Sequence, residues 1–224
     1  MDRFSYESRT LLTGILGYSE FLELSSEDAM VAFTAKIIHE SSQGLVRVMN
    51  SFFDLHYLKL AQIKVNCSSF SATELVRDVV RSNQKYARER RVAIFFMCSD
   101  DSILHEMYSD VERVRQVLNA LIYNALQMSS KNDTINVNVN LDQEQEFFEL
   151  KISLLKTTFN TVQLNIMDEF WVSSDYEFKL HEGPGVEMAL AKEMIIFLQG
   201  KAKWKARLTD NPHLIVSLPM QYTC

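Results

Sequence analysis

The side chains of Ser5-Tyr6-Glu7-Ser8-Arg9-Thr10 put a phenol, a carboxylate and a hydroxyl close together near the start of the chain. Tyr6, Glu7 and Thr10 follow one another at steps of one and three residues, so a helix would carry them on one side. Such a set could move a proton or orient a water molecule. As a nucleophile the phenol is weak at neutral pH, because its ordinary pKa lies near about 10. Five histidines, His39, His56, His105, His181 and His213, fall on different elements. They lack the spacing of metal ligands and read as packing or surface residues. Cys67, Cys98 and Cys224 are odd in number, far apart and form no CxxC pair. Neither a disulfide framework nor a zinc site is expected from them, and no metal or cofactor is expected elsewhere. Asn124, in an apolar helical stretch, and the run His181-Glu182-Gly183-Pro184-Gly185 complete the candidates.

The elements that must position these residues are legible from periodicity. Residues 4–24 place Phe4, Leu11, Leu12, Ile15, Leu16, Phe21 and Leu22 at helical spacing. Ser25-Ser26-Glu27-Asp28 breaks that helix and offers an N-cap to the next one. The second pattern, over 29–63, predicts one long helix with a wide apolar stripe. Two helices cannot bury such stripes alone, so the expected solution is a hairpin that dimerises into a four-helix bundle. After a composition shift at 63–71 the pattern becomes mixed α/β. Helices are expected over 71–90, with Ser71 or Thr73 near the cap, over 109–129, and over 186–198, closed by Gly200 as its C′ residue. Strands are expected over 92–97, 134–141, 147–155, 201–208 and 214–219, with a loop-rich stretch between 155 and 185. In 134–141 the alternation is strict: Ile135, Val137, Val139 and Leu141 on one face, asparagines on the other. The segments 134–141 and 147–155 pair as a hairpin, and the helices cover one face of the sheet. The fold class is α+β, with domains at 1–64 and 65–224.

Bulk properties narrow the function. The chain has 224 residues, a net charge of −6 and 47% hydrophobic residues. That suits a soluble protein with a sizeable core and gives no general attraction to nucleic acid. The basic runs RERR (88–91) and KAKWKAR (201–207) read as solvated faces. No apolar run reaches membrane-spanning length and no signal peptide is recognisable, so a cytoplasmic location is expected.

Taken together, the order of elements resembles the catalytic core of sensor histidine kinases over nearly the whole chain. Ser5-Tyr6-Glu7-Ser8-Arg9-Thr10-Leu11-Leu12 matches that family's phosphoacceptor box in register, and IIHESSQGLVRVMNSFFDLHYLK (37–59) is similar to its second bundle helix. SDVERVRQVLNALIYNAL (109–126) resembles the helix bearing the asparagine box, and EGPGVEMALAKEMIIFLQGK the last glycine box with its helix. Against this pattern, Tyr6 stands where the family has its phosphoacceptor histidine. Asn124 fits the second asparagine of its box, but Ala120 replaces the first. In ISLLKTTFN (152–160) Lys156 stands at the adenine-binding aspartate and Thr158 at the first glycine. A lysine only donates, so it cannot accept the adenine amine's hydrogen bond. In the last box, Gly183-Pro184-Gly185-Val186-Glu187-Met188, the side chain of Glu187 is anionic where backbone amides should meet phosphate, and Pro184 lacks an amide hydrogen.

The resemblance and its losses together imply a catalytically inactive signalling scaffold. It would dimerise and bind the receiver domain of a response regulator, or a partner kinase, through Tyr6, Glu7, Thr10, Leu11 and Gly14. Asn124, Lys156, Thr158, Gly183, Gly185 and Glu187 would mark a vestigial nucleotide site, with Asn124 an ordinary polar residue left from the family pattern. Tyrosine at the acceptor position is similar to the DivL-like pseudokinases of bacterial cell-cycle signalling. One rival is a response-regulator phosphatase, in which Glu7 and Thr10 serve the regulator's own metal site. The other is a phosphotransfer protein without ATP binding, which needs an acceptor histidine in the groove. His39 lies in the second helix, away from the family's acceptor position. Met1 falls only five residues before the box, so the chain is expected to be the end of a longer sensor.

Overall fold

The structure is a computed structural model that describes residues 2–60, 64–98, 106–142, 146–172, 185–207 and 210–222. Its contacts divide the chain into two compact units, residues 1–59 and 60–224.

The first unit is a helical hairpin of α1 (Asp2–Ser25) and α2 (Ala29–Lys59). Asp28 starts α2, its Oδ1 accepting the amides of Met30 at 2.8 Å and Val31 at 3.4 Å. Between the helices lie Leu12 and Ser19 from α1 and Ala35, Ser42 and Phe53 from α2, all buried. The small residues among them let the backbones approach. The helix expected to run to 63 ends at Lys59, with Leu60 in a turn, and 61–63 lie outside the described residues.

The second unit is a sandwich. A five-stranded sheet runs in the order β2-β4-β5-β7-β6, from β2 (Ala93–Cys98), β4 (Thr134–Asp142), β5 (Phe147–Leu154), β6 (Lys201–Arg207) and β7 (Asp210–Pro219). Only β2 and β4 pair in parallel; β4 and β5 form the antiparallel hairpin. Against one face pack α3 (Ala72–Glu89), α4 (Val111–Met128) and α6 (Gly185–Phe197). Ile135, Val137 and Val139 of β4 are fully enclosed on that side. At 25 cal/mol per Å2 or so, such apolar burial is the main term holding the layers together. Ser71 caps α3 through Glu74 N, a Ser-x-x-Glu start. Asp110 caps α4 and also accepts the amide of Asn66 at 2.9 Å.

Four features depart from expectation. A two-stranded antiparallel ribbon, β1 (Cys67–Ser71) with β3 (Glu106–Asp110), lies in segments read as irregular. It is short and polar, and its pairing is fixed by partners distant in sequence. A helix, α5 (Thr161–Val172), occupies part of the stretch read as loop. Its start is a reciprocal cap: Gln163 N donates to Asn160 Oδ1 and Asn160 N to Gln163 Oε1. That Asn-x-x-Gln spacing was a readable signal. Cys67 is disulfide-bonded, against the expectation of unpaired cysteines. Spacing along the chain carries no information on which segments a sheet brings together.

The fourth departure concerns the end of α6. Gly200 N donates to Ile195 O and Gln199 N to Ile196 O, the paired bonds of a Schellman ending. The left-handed residue is Gln199, with φ 59°, and not Gly200. Glycine is required at 200 by close approach: a Cβ there would lie 2.5 Å from Leu218 Cδ2 and 2.7 Å from Ser217 O. Gly200→Ala should therefore destabilise the second unit by about 1–3 kcal/mol, read as a lower urea midpoint at unchanged slope. Gln199→Gly should be neutral or stabilising.

Candidate functional site

Two groups of candidate residues were read from the sequence, and they belong to different units. On the hairpin, Tyr6 lies within α1, its side chain outside the described residues. Glu7, Thr10 and Leu11 are exposed and Gly14 is half-buried. Leu11 and Gly14 open onto an apolar groove of about 440 Å3, with Ile15, Tyr18, Leu22 and Ile38. Glu7 and Thr10 lie one turn nearer the N-terminus and do not line it. The groove continues a broader apolar face: Leu11 is 70% exposed, Tyr18 76%, Leu45 50% and Phe52 55%. A face of that extent left open to water is unusual for a finished surface.

Further along α1, Gly17 and Phe21 present a second exposed strip. A Cβ at Gly14 or Gly17 would meet nothing within 4 Å. Neither glycine is there to relieve crowding within the hairpin. Tyr18 and Phe21 were not among the residues singled out from the sequence, because aromatic residues at helical spacing read as core. Their exposure is a tertiary fact.

His39 is held within the hairpin. Its Nδ1 lies 3.3 Å from the Leu16 carbonyl and 3.4 Å from Ser19 Oγ, and its Nε2 lies 2.8 Å from Gln43 Nε2. A carbonyl only accepts, so the proton sits on Nδ1, and Nε2 accepts from the Gln43 amide. Leu16 lies ten residues beyond Tyr6, about 15 Å along the helix. The ring serves the hairpin's interior. Among the described residues no cluster of His, Cys, Asp or Glu could hold a metal ion. His105 and His181 lie outside them.

In the second unit the box-like segments converge. Ala125, next to Asn124, Leu154, two residues before Lys156, and Met188, next to Glu187, line one cavity with Leu121, Met167 and Trp204. Its volume is about 20 Å3, room for roughly one water molecule. The walls are apolar. Asn124 is buried, and its Nδ2 donates back to Ala120 O of its own helix at 2.8 Å. Gly185 opens α6 with φ 87°, a left-handed conformation that favours glycine. Glu187 is half-buried in the first turn of α6. There a carboxylate complements the helix dipole and takes the position where a bound anion would gain from it. Gly183 and Pro184 lie outside the described residues.

The loop that follows β5 is tied down by a carboxylate the sequence reading passed over. Asp133 is 1% exposed. Its Oδ1 accepts the amides of Thr134 at 2.6 Å and Lys156 at 2.7 Å, and its Oδ2 accepts the hydroxyl of Thr157. Thr157 Oγ1 in turn accepts the Ser130 amide at 2.9 Å. Lys156 Nζ donates to Asn132 O at 3.0 Å. Both nitrogens of Lys156 are thus spent on the loop before β4. Thr158 is exposed beside them. Phe159 closes the far side, its ring 5.9 Å from that of Trp204 and edge-on to it. On α6, Lys192 donates to Phe170 O near the end of α5 and lies 5.0 Å over the Phe170 ring. Burial pushes its ammonium below the ordinary lysine range, with Glu193 opposing.

No family model matches the chain. It is 27% identical over 202 residues to the circadian input-output histidine kinase CikA of Synechocystis, covering 87% of this chain and 27% of that protein. It is 21% identical over 226 residues to the autoinducer 2 sensor kinase/phosphatase LuxQ of Vibrio vulnificus, covering 99% of this chain and 26% of that one. The chain therefore spans about a quarter of the length of these relatives. Full-length ShkA, solved in complex with AMPPNP, superposes with a TM-score of 0.72 at 19% identity, over 100% of this chain and 46% of that chain. The histidine kinase ThkA, solved in complex with the response regulator TrrA, superposes at 0.57 and 16% identity, over 98% of this chain and 60% of that chain. The chain has the fold of a histidine kinase core. Its first unit corresponds to the helical hairpin and its second to the ATPase-like domain.

The kinase-like second unit makes the Asp133 network testable. Thr157→Val keeps the shape of the side chain and removes its hydroxyl. It should cost about 1–3 kcal/mol, since a buried carboxylate oxygen and the Ser130 amide both lose their partner. Urea unfolding of the second unit's transition reads this directly.

Proposed function

We propose that this chain is a catalytically inactive, histidine-kinase-like scaffold of two-component signalling. It forms a homodimer through the apolar face of α1 and α2 and binds the receiver domain of a response regulator, or a partner kinase, on the exposed surface of α1. It acts on the cytoplasmic side as part of a longer sensor and transfers no phosphate from ATP. The observation that carries this reading is the state of Lys156. At the family's adenine-binding position stands a donor whose main-chain and side-chain nitrogens are both engaged by the preceding loop. Titration calorimetry with ATP and magnesium should be flat. Heat corresponding to micromolar affinity, about −8 kcal/mol, would overturn the proposal.

Dimerisation is supported by the extent of the open apolar face, which includes Leu11, Tyr18, Leu45 and Phe52. Light scattering at micromolar concentration should give twice the chain mass. Leu45→Glu should yield the monomer, because a carboxylate cannot enter an apolar seam without a partner.

Receiver docking is assigned to Tyr6, Glu7, Thr10, Leu11 and Gly14, with Gly17 and Phe21 continuing the strip. It has a precedent in ThkA, solved with its regulator TrrA. Tyr6→Ala should weaken receiver binding roughly 30-fold, about 2 kcal/mol, as expected for truncating an aromatic anchor. Gly17→Arg should block docking without unfolding the hairpin, since the space at Gly17 is open and most residues favour a helix over glycine by up to about 1 kcal/mol. A second reading, regulator dephosphorylation, is favoured by the exposure of Glu7 and Thr10. Thr10→Ala separates the two: it should abolish loss of phosphate from a phosphorylated receiver and leave its affinity nearly unchanged.

A further inference from the structure

Among the described residues of the second unit, the helices α3, α4 and α6 pack on one face of the five-stranded sheet. We propose that its open face is a docking surface for an anionic lipid bilayer. The residues on that face are fixed by register. Phe95 and Met97 on β2 pair with Asn136 and Asn138 on β4. Asn138 pairs with Lys151 on β5, and Lys151 with Ile215 on β7. On β6, Lys201, Lys203 and Lys205 stand beside Ser217, Ile215 and His213. One edge of the face is apolar, the middle carries asparagines with Lys151 and Glu149, and the other edge is a row of ammonium groups. Among the described residues it carries four lysines, Lys151, Lys201, Lys203 and Lys205, and two carboxylates by register, Glu149 and Asp142. The sign is opposite to that of the chain, whose net charge is −6.

The alternation along β6 is strict: the three lysines are exposed, while Ala202, Trp204 and Ala206 turn toward the helices. Edge protection alone does not account for them. The other edge strand, β2, is the more exposed to unwanted pairing, and it carries Phe95 at 56% exposure and Met97 at 47% with no lysine at all. A purely solvated face would not expose two large apolar side chains next to neutral asparagines.

The composition selects the occupant. Lysine is depleted in protein–protein interfaces, which favour arginine and tyrosine set in pockets. Among the described residues β2, β4, β5 and β7 bring no arginine to this face, and on β6 Arg207 pairs in register with Asp210. A bilayer suits both halves of the face. Long lysine stems reach lipid phosphates, and apolar side chains enter the boundary between headgroups and acyl chains. Four strand spacings separate the two edges, about 19 Å, so both can meet one membrane surface.

The test is co-sedimentation of the full chain with vesicles of phosphatidylcholine, with and without phosphatidylserine. Binding is expected only with phosphatidylserine and should weaken at high salt. The triple variant Lys201→Gln, Lys203→Gln, Lys205→Gln should bind at least roughly 100-fold more weakly. Phe95→Ser should weaken binding with little change in its salt dependence. Circular dichroism and light scattering establish that the variants keep fold and mass. If the triple variant unfolds, Lys151→Gln with Lys203→Gln replaces it. Equal binding to both vesicle types, no binding at low salt, or unchanged binding by a folded variant would each overturn the proposal. Retention on immobilised polyglutamate without vesicle binding would also overturn it and point to an acidic protein instead.

Discussion

The buried carboxylate of Asp133 governs the second unit where the loop after β5 meets the loop before β4. A carboxylate removed from water must have its oxygens satisfied, or it costs several kcal/mol. Here two amides and a hydroxyl satisfy it, and two of those donors come from Lys156 and Thr157. The loop after β5 is consequently fixed by the loop before β4. Phe159 then meets Trp204, and the cavity under α4 is left with apolar walls. The same constraint explains why Lys156 reaches back to Asn132 O and not outward. Lys156 is thus built into the hydrogen bonding of the fold.

The first turn of α6 also carries a charge of the chain itself. A helix N-terminus offers unpaired amides and a positive dipole end, which suits phosphate. Glu187 brings a negative charge of its own to that turn. Asn124 behaves likewise, donating to Ala120 O one turn back along its helix. At each position a polar group that resembles a ligand contact is occupied by the protein itself.

The hairpin shows the opposite condition. Its interior seam is filled by Leu12, Ala35 and Phe53, but a second apolar face remains in water. The seam makes the hairpin; the second face is left open to water. Gly14 and Gly17 add open space on α1 that the hairpin's own packing does not use. The two units therefore contribute different things, one a closed and self-satisfied sandwich, the other an unsatisfied helical surface.

Much of this was legible in the sequence because it is local. Helical and alternating periodicity placed α1 to α4, α6 and most strands, since each depends on which side of an element is apolar. The replacements at Tyr6, Ala120, Lys156 and Glu187 were readable as residue types at fixed spacings. The cap at Asn160 and Gln163 was there to be read and marks α5. Other features were decided only by tertiary structure. Asp133 is one acidic residue among many until the chain folds and two loops meet over it. Gly200 was rightly expected to matter, but for a helix ending, whereas the reason is Leu218 and Ser217 lying where a side chain would go. The ribbon of β1 with β3 and the gathering of lysines from β5 and β6 on one face both join residues far apart in sequence. Periodicity tells which way a side chain faces along its own element. It carries nothing about which other element lies opposite, because that is set by the packing of the whole sheet against its helices.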